Sequence, residues 1–454
     1  MNLNALLGKR AEEGRPVRVA LIGAGKFGTM FLAQVRRTAG LQLVGVADLS
    51  PARAQAALER TGWPAAQIGA ASFAEAMERG TVCLGDDAEA LIAADGLEVV
   101  IEATGVPAAG LRHAMAAIRR GRHVVMVTVE ADVLAGPLLA KRAREAGVVY
   151  SMAYGDQPAL IAEQVDWARA IGLDIVAAGK GTKYLPEYHQ STPETVWPYY
   201  GLTPEAAAAG GMNPQMFNSF LDGTKSAIEM AAVANATGLV PQADGLGFPP
   251  AGVDDLPGVC RPRGDGGTLA HKGTVEVVSS LKRDGSPVFR DLRWGVYVTF
   301  EAPSDYVKRC FAEYGLLTDE SGRYGALYRP YHLIGLELGI SVASAALRGE
   351  ATGSARAFMG DAVATAKRDL APGEMLDGEG GYMVYGKLMP AERSLELGCL
   401  PIGLAHKVKL KAAVKAGSVL RWSDVAVDAN DIAVRLRREM EAAFARSNRP
   451  QAAQ

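Results

Sequence analysis

The sequence predicts an α/β protein with an N-terminal doubly wound parallel sheet, an α+β middle domain and a small β-rich C-terminal domain. Three changes of pattern along the chain support this prediction. Strand-like and helix-like segments alternate over residues 18–150, long irregular loops interrupt residues 156–349, and short β-like segments follow from residue 352. Repeated strand–helix units form parallel sheets with right-handed crossovers. A length of 454 residues exceeds one ordinary hydrophobic core, so two or three domains are expected.

The first strand and the turn after it carry a dinucleotide-binding pattern. The apolar run VRVALI predicts a buried strand, GAGKFG follows it directly, and helical spacing then begins. In such a motif Gly23 allows the tight turn, Gly25 admits a pyrophosphate close to the backbone, and Gly28 lets the helix pack on the strand. The helix N-terminus offers free N–H groups to the phosphates. With Asp48 at the end of the next apolar run, this pattern is typical of a Rossmann domain.

Ligands of a Rossmann sheet bind at the carboxyl ends of its strands. Asp48 at such an end would accept hydrogen bonds from the adenosine ribose, which favours NAD, whereas Arg53 close behind it could bind the 2′-phosphate of NADP. The residues alone leave the two cofactors open. The predicted cofactor-binding residues stand at the strand ends and in their turns: Gly23, Gly25, Lys26, Phe27, Gly28, Asp48, Ser50, Arg53, Ala103, Thr104, Gly105 and Thr128.

The middle of the chain has a different pattern. A helix (QPALIAEQVDWARAIG) and a strand (LDIVAAGKG) precede a loop rich in Pro and Tyr, and a second helix follows in MFNSFLDGTKSAIEMAAVANATG. The segments TLAHKGTVEVVSSL and LRWGVYVTFEA predict paired strands. The apolar helix HLIGLELGISVASAALRG is predicted to close this domain. We place an N-terminal arm at 1–16, the dinucleotide-binding domain at 17–153, the substrate and dimerisation domain at 154–350, the C-terminal domain at 351–436 and a frayed tail at 437–454.

Composition and charge exclude several classes of protein. The formal charge of −2 with scattered basic residues gives no reason to expect a nucleic acid or a membrane surface as partner. The chain lacks the roughly 18 consecutive apolar residues of a membrane span, and residues 1–16 do not resemble a signal peptide. A cytoplasmic location is therefore expected. Four widely spaced cysteines without zinc-ligand spacing predict free thiols: Cys83, Cys260, Cys310 and Cys399.

Two residues of the second helix are candidates for catalysis. Asp222 and Lys225 stand three residues apart, which on a helix places their side chains on one face. A lysine in a dry cleft can donate a proton to a carbonyl oxygen as a hydride arrives, once its pKa is lowered. The alternative is a surface ion pair without a catalytic role.

The loop after the second strand offers further candidates. Lys180 and Lys183 near the strand end suit an anionic substrate, with Lys183 a third catalytic candidate. His189 could orient substrate, bind a metal or serve only as a structural hydrogen-bonding residue. Asp156, at the passage between the first two domains, could hold a substrate hydroxyl or cap the following helix.

Several of these segments resemble a known family. GAGKFG, VVIEATG and VVMVTVEADVLAG resemble the homoserine dehydrogenase-like group of Rossmann oxidoreductases, although Glu130 replaces the lysine usual in homoserine dehydrogenases. RDLAPGEML and VKAGSVLRWSDV resemble a SAF domain. The combination is similar to the DXR-like family, which includes the second type of 1-deoxy-D-xylulose 5-phosphate reductoisomerase.

The resemblance implies a reaction and its cofactors. It implies NADPH-dependent isomerisation and reduction of 1-deoxy-D-xylulose 5-phosphate to 2-C-methyl-D-erythritol 4-phosphate, a step toward isoprenoids, in a homodimer or higher homo-oligomer. It also implies a divalent Mg²⁺ or Mn²⁺ ion, for which Asp156, Asp222 and Glu229 are candidate ligands, and NADP(H) rather than NAD(H). The alternatives are a dehydrogenase of homoserine-like or sugar-acid substrates without skeletal rearrangement, and a cofactor-binding sensor without turnover.

Overall fold

The computed structural model describes residues 2–445, which divide into two units: residues 2–160 with 332–356, and residues 161–331 with 357–445. The first unit contains a six-stranded sheet. Its strands are β1 (Val17–Ile22), β2 (Leu41–Ala47), β3 (Cys83–Gly85), β4 (Val99–Glu102), β5 (His123–Met126) and β6 (Tyr150–Met152). Its helices are α1 (Leu3–Glu12), α2 (Lys26–Val35), α3 (Pro51–Arg60), α4 (Phe73–Arg79), α5 (Ala88–Ile92), α6 (Pro107–Arg119) and α7 (Val129–Glu145).

The strand order of this sheet is β3-β2-β1-β4-β5-β6, and every neighbouring pair is parallel. Parallel strands covered on both faces are apolar throughout, as the buried side chains of Val19, Leu21, Val99 and Ile101 illustrate. The order reverses between β1 and β4, and a ligand crevice opens at such a point. The predicted doubly wound Rossmann sheet is confirmed.

The middle segment forms a second, mixed sheet and the helices around it. Its elements are α8 (Gln157–Ala170), β7 (Asp174–Thr182), α9 (Val196–Tyr200), α10 (Pro204–Ala209), α11 (Pro214–Leu221), α12 (Thr224–Thr237), α13 (Leu256–Val259), β8 (Thr274–Ser279), β9 (Val296–Glu301), α14 (Asp305–Glu313) and β10 (Tyr324–Arg329). The sheet order is β10-β9-β7-β8. Strand β7 lies between β8, to which it runs parallel, and β9, to which it runs antiparallel, so the predicted pairing of the β8 and β9 segments with each other is wrong.

The helix α15 (Gly339–Arg348) belongs to the first unit, which differs from the predicted boundary at residue 350. Leu338, Val342 and Ala343 are buried in the same core as the side chains of β1 and α2. Its apolar face therefore covers the first sheet, on which it packs against β1, β4 and β5.

The C-terminal segment consists of short strands and two helices. They are β11 (Gly360–Ala366), β12 (Met375–Asp377), β13 (Val384–Pro390), α16 (Ala391–Leu397), β14 (His406–Leu410), β15 (Val425–Ala426) and α17 (Ile432–Phe444). Strands β11 and β13 pair antiparallel, and β12, β14 and β15 form a second small sheet.

Helix α12 explains why this segment is not separate from the middle one, in contrast to the predicted domain at 351–436. It packs against β8 on one side and against β11 and β13 on the other, and every residue from 226 to 236 is buried. A Cβ on Gly386 would lie 3.0 Å from the Thr224 side chain, whose hydroxyl accepts a 2.8 Å hydrogen bond from the Gly386 N–H. Neither sheet can therefore bury α12 alone.

The predicted frayed tail at 437–454 is also corrected in part. Helix α17 continues to Phe444, and Arg437 is fully buried with ion pairs of 2.5 Å to Asp361 and 2.8 Å to Glu441. The ion pair with Asp361 fixes the helix on β11. Residues 446–454 lie outside the described residues. None of the helices in residues 2–445 is long and apolar enough to cross a membrane.

Candidate active site

The glycine loop after β1 has the geometry of a phosphate cradle. Gly23 has φ +99°, and a Cβ there would lie 2.5 Å from a carbonyl oxygen of the turn after β4. A Cβ on Gly28 would lie 2.3 Å from the Gly23 carbonyl oxygen, whereas the space beside Gly25 is open. Helix α2 begins at Lys26 with no side-chain cap, and Lys26 and Phe27 are exposed. The free N–H groups and open space fit a pyrophosphate.

Asp48 ties this loop to the end of β2. Its carboxylate is 1% exposed and accepts hydrogen bonds from the N–H groups of Ala24 (2.8 Å) and Ser50 (2.9 Å) and from Arg53 Nη2 (2.6 Å). Burial by itself would raise the pKa of Asp48, but the hydrogen bonds from Arg53, Ser50 and Ala24 outweigh it and lower the pKa. The Arg53 side chain is 60% exposed and covers the carboxylate. A cofactor therefore meets the guanidinium before it meets Asp48.

Glu102 brings the other predicted cofactor residues together. Its buried carboxylate accepts hydrogen bonds of 2.5 Å from the hydroxyls of Thr104 and Thr128, and the Thr128 hydroxyl accepts a 3.0 Å bond from the Gly105 N–H. The turn that starts at Ala103 is thus fixed at the switch point of the sheet. Glu102 lies in the VVIEATG segment but was not predicted to have a role; an acid that ends an apolar strand was the available signal.

Asp132 is a second buried acid without a predicted role. It lies in the first turn of α7, its Oδ1 accepts a 2.9 Å hydrogen bond from the Tyr150 hydroxyl, and its Oδ2 has no hydrogen-bond partner within residues 2–445. Burial raises the pKa of Asp132 to about 6, which the Tyr150 hydrogen bond only partly offsets.

We expect Asp132 to make the folded chain less stable as the pH rises. Because its pKa is raised from 3.8 to about 6, the stability that the buried proton contributes is present below pH 3.8 and lost as the pH rises through 6. Asp132→Asn should remove roughly 1 kcal/mol of the difference in unfolding free energy between pH 5 and pH 8. Urea unfolding at the two pH values measures this. The exposed Asp86→Asn is the control, and an equal pH dependence in the two variants would contradict the assignment.

In the second unit, His189 is the centre of a polar and aromatic cluster. It lies on the 3₁₀ helix Pro186–Gln190, with Nδ1 2.7 Å from the Asp222 carbonyl oxygen and Nε2 3.0 Å from the Tyr184 hydroxyl. A carbonyl only accepts, so Nδ1 carries the proton and Nε2 accepts from Tyr184. Burial lowers the pKa of His189, which keeps the ring neutral at neutral pH. The pair is therefore arranged to take up a proton at Nε2.

Aromatic packing holds this pair in place. The Tyr385 ring stacks on His189 with centroids 4.6 Å apart, and Phe248 stacks on Tyr184 at 3.9 Å. Phe248 adopts φ +49°, a conformation that costs energy for a non-glycine residue and is concentrated at functional sites. A Cβ on Gly223 would lie 3.0 Å from the His189 ring. The His189 cluster, defined as His189, Tyr184, Tyr385, Phe248 and Gly223, is rigid.

The predicted pairing of Asp222 with Lys225 on one helix is wrong. Asp222 is the C-cap of α11, Gly223 has φ +89°, and Lys225 is the second residue of α12. The fully buried Asp222 carboxylate instead forms a 2.7 Å ion pair with Lys367, the residue after β11. Lys367 also donates hydrogen bonds to the carbonyls of Ser191 and Gly381. Lys225 is partly exposed at the start of a helix that is otherwise buried up to residue 236.

The remaining candidates lie in separate contacts. Lys180 forms a buried ion pair with Glu229, and Lys183 donates to the carbonyl of Tyr199. Burial and the charge of Arg293 lower the pKa of Lys183. Asp156, in the first unit, directly precedes α8, and its carboxylate accepts a hydrogen bond from the Gln157 N–H (2.9 Å).

These contacts do not fit the divalent metal that the resemblance implied. The carboxylates of Asp222 and Glu229 are each neutralised by a buried lysine, which leaves no anionic pair to bind a cation. Within residues 2–445 no group of three or more His, Cys, Asp or Glu side chains is placed to hold a metal ion.

Tyr184, Lys367 and Tyr385 were not predicted to belong to this site. Tyr184 lies five residues before His189 in the loop rich in Pro and Tyr, and its sequence position gave it no catalytic role. Lys367 and Tyr385 lie in the C-terminal segment, and nothing in the local sequence indicates that β11 and β13 pack beside α12.

Comparison with known families matches two consecutive parts of the chain. Residues 17–154 match an oxidoreductase family with an NAD-binding Rossmann fold, and residues 155–338 match the catalytic domain of oxidoreductase DRL. No curated protein matches the chain.

Solved structures that resemble the chain are distant. Biliverdin reductase from Synechocystis sp. PCC 6803 is 20% identical over 40% of this chain and 54% of its own (TM-score 0.26). Myo-inositol dehydrogenase from Lactobacillus casei is 18% identical over 40% and 50% (TM-score 0.27). 1-Deoxy-D-xylulose 5-phosphate reductoisomerase from Zymomonas mobilis is 22% identical over 47% and 57% (TM-score 0.33). The chain thus spans about half the length of these proteins.

Proposed function

We propose that the chain is an NAD(P)-dependent oxidoreductase that interconverts a carbonyl and a hydroxyl group in a small anionic substrate, because its sequence matches an NAD-binding oxidoreductase domain followed by an oxidoreductase catalytic domain. The observation that carries this proposal is the His189–Tyr184 pair in the catalytic domain. Bound nicotinamide supplies or accepts the hydride. Tyr184 accepts the proton of the substrate hydroxyl while it passes its own to His189 Nε2, and the reverse transfer protonates the carbonyl oxygen.

The lowered pKa of His189 suits this transfer. An imidazolium disfavoured by burial returns its proton readily to the Tyr184 oxygen. We also propose that Lys225, which is partly exposed two residues after Gly223, stabilises negative charge on the substrate oxygen. In this proposal Asp222 acts through its backbone carbonyl, which orients His189, rather than through its carboxylate.

We propose 1-deoxy-D-xylulose 5-phosphate as the first substrate to test, with reduction and isomerisation as the reaction. The second candidate is a plain dehydrogenase of sugar acids or homoserine. The lysine-paired carboxylates of Asp222 and Glu229 favour the second candidate, because a skeletal shift of the implied type uses a divalent metal.

The experiment mixes the purified chain with NADPH and 1-deoxy-D-xylulose 5-phosphate, with and without Mg²⁺ or Mn²⁺, and follows the loss of reduced-nicotinamide absorbance. Oxidation that depends on substrate and metal supports the reductoisomerase. Absence of oxidation, with NADPH still bound, would exclude it and direct the assay to sugar acids and homoserine with NADP⁺ and NAD⁺.

We also propose that the cofactor is NADP(H), held by Arg53 at its 2′-phosphate. Asp48 is neutralised by Arg53 and occupied by loop N–H groups, so its repulsion of that phosphate is reduced. Arg53→Ala should weaken NADPH binding by about 10- to 100-fold and NADH binding much less, since a charge-assisted hydrogen bond contributes about 1.5–3 kcal/mol. Fluorescence titrations give the two dissociation constants. Arg60→Ala, at the other end of α3, is the control, and an unchanged NADPH to NADH ratio in Arg53→Ala would contradict the assignment.

A further inference from the structure

Two cations lie opposite each other at the ends of two neighbouring strands of the mixed sheet. The antiparallel register that pairs Lys180 with Val296 places Lys183, just after β7, opposite Arg293, just before β9. The two strand ends approach closely: a Cβ at Gly181 would lie 1.9 Å from the Leu292 carbonyl oxygen, so only glycine fits there. Like charges opposite each other on neighbouring strands destabilise a sheet. The arrangement therefore calls for an anion.

The ring of Tyr200 lies near both cations. Lys183 Nζ lies 6.0 Å and the Arg293 guanidinium 5.9 Å from the centre of its ring. Burial raises the pKa of Tyr200 to about 12, so the ring stays neutral and supplies no compensating charge. Both cations thus lie near one aromatic ring, which orients them without neutralising them.

No acidic side chain of residues 2–445 forms an ion pair with either cation. Asp291, the nearest acid in sequence, accepts a 2.8 Å hydrogen bond from the backbone N–H of Arg293 instead. Lys183 is only partly satisfied, by the Tyr199 carbonyl. Both cations are partly exposed, so an external anion can reach them.

We propose that Lys183 and Arg293 form a subsite for a phosphate group of the substrate. The planar guanidinium of Arg293 suits two parallel hydrogen bonds to phosphate oxygens, and Lys183 adds a point charge. A phosphate dianion balances the two positive charges, which a carboxylate does not. The inference rests on the proposed function only in taking the bound phosphate as part of the substrate; Lys183 is then a binding residue rather than a proton donor.

The test titrates the full chain with inorganic phosphate at constant ionic strength. Trp294, exposed and 4.8 Å from the Arg293 guanidinium, is a fluorescence reporter, and calorimetry gives an independent dissociation constant. Arg293→Met and Lys183→Met should each weaken phosphate binding by about tenfold or more, with Arg293→Lys between Arg293→Met and the unmodified chain. Arg309→Met, an exposed arginine over Tyr306, is the control and should bind phosphate normally.

Three outcomes would overturn the subsite: no phosphate binding to the unmodified chain, equal binding to Arg293→Met, or acetate binding as tightly as phosphate. A folded state for each variant is verified by its thermal unfolding curve. The titration needs no turnover, so it separates the two proposals. If phosphate binds through Arg293 but 1-deoxy-D-xylulose 5-phosphate is not turned over, the phosphate subsite is supported and that substrate is excluded.

Discussion

His189→Gln is expected to lower kcat/KM by about 10²- to 10⁴-fold, the usual contribution of a positioned acid–base group. Glutamine can keep a hydrogen bond to the Asp222 carbonyl, but it cannot take up a proton from Tyr184. Steady-state kinetics in both directions measure the loss, and NADPH affinity should remain unchanged. His271→Gln is a matched control, since His271 lies in the same unit, is partly exposed and lies outside the His189 cluster.

The pH profile distinguishes proton transfer from a structural role. In the oxidation direction kcat/KM should fall as the pH drops through the lowered pKa of His189, because the protonated ring cannot accept another proton. This limb should disappear in His189→Gln. Retention of full activity, or of the acidic limb, would show that His189 is not the base.

Lys367→Met is expected to destabilise the chain by about 3–5 kcal/mol, because it leaves the Asp222 carboxylate buried without its counter-charge. Asp222 is fully buried, and Lys367 also donates to two carbonyls, so three acceptors lose their donor. Denaturant unfolding gives the change in free energy. The exposed Lys409→Met, in the same segment, is the control.

A double variant isolates the charge effect. Asp222→Asn combined with Lys367→Met removes the uncompensated charge and should recover part of the lost stability. If Lys367→Met alone unfolds like the control, the pair is not structural. Recovery of stability without activity in the double variant would assign the pair to positioning His189.

The first unit was predictable because its signals are local. Strand, glycine turn, helix and acid follow one another within residues 17–48, and Gly23 and Gly28 each have a steric reason in the structure. The helical spacing of Asp222 and Lys225 misled for an equally local reason. The Asp-Gly sequence that separates them permits a left-handed residue, and Gly223 uses it to end α11 before α12 begins.

The placement of α15 and the composition of the His189 cluster could not be predicted, because they depend on contacts between distant parts of the chain. The apolar helix α15 could cover either sheet, and only the packing of Leu338 and Val342 assigns it to the first. Likewise, Lys367 and Tyr385 reach the His189 cluster from segments more than 140 residues beyond Asp222. Periodicity describes an element and its apolar face, but not which partner covers that face.

The shared burial of α12 has a consequence for biosynthesis. A ribosome completes α12 near residue 237 but does not reach the end of β13 until residue 390. At about 5–20 residues per second, the apolar side of α12 that faces β11 and β13 stays uncovered for roughly 8–30 seconds. During that time the emerging chain exposes the apolar surface of α12, a kind of surface that chaperones bind. A truncation before residue 390 makes this exposure permanent, so nonsense and frameshift products are expected to aggregate or be degraded.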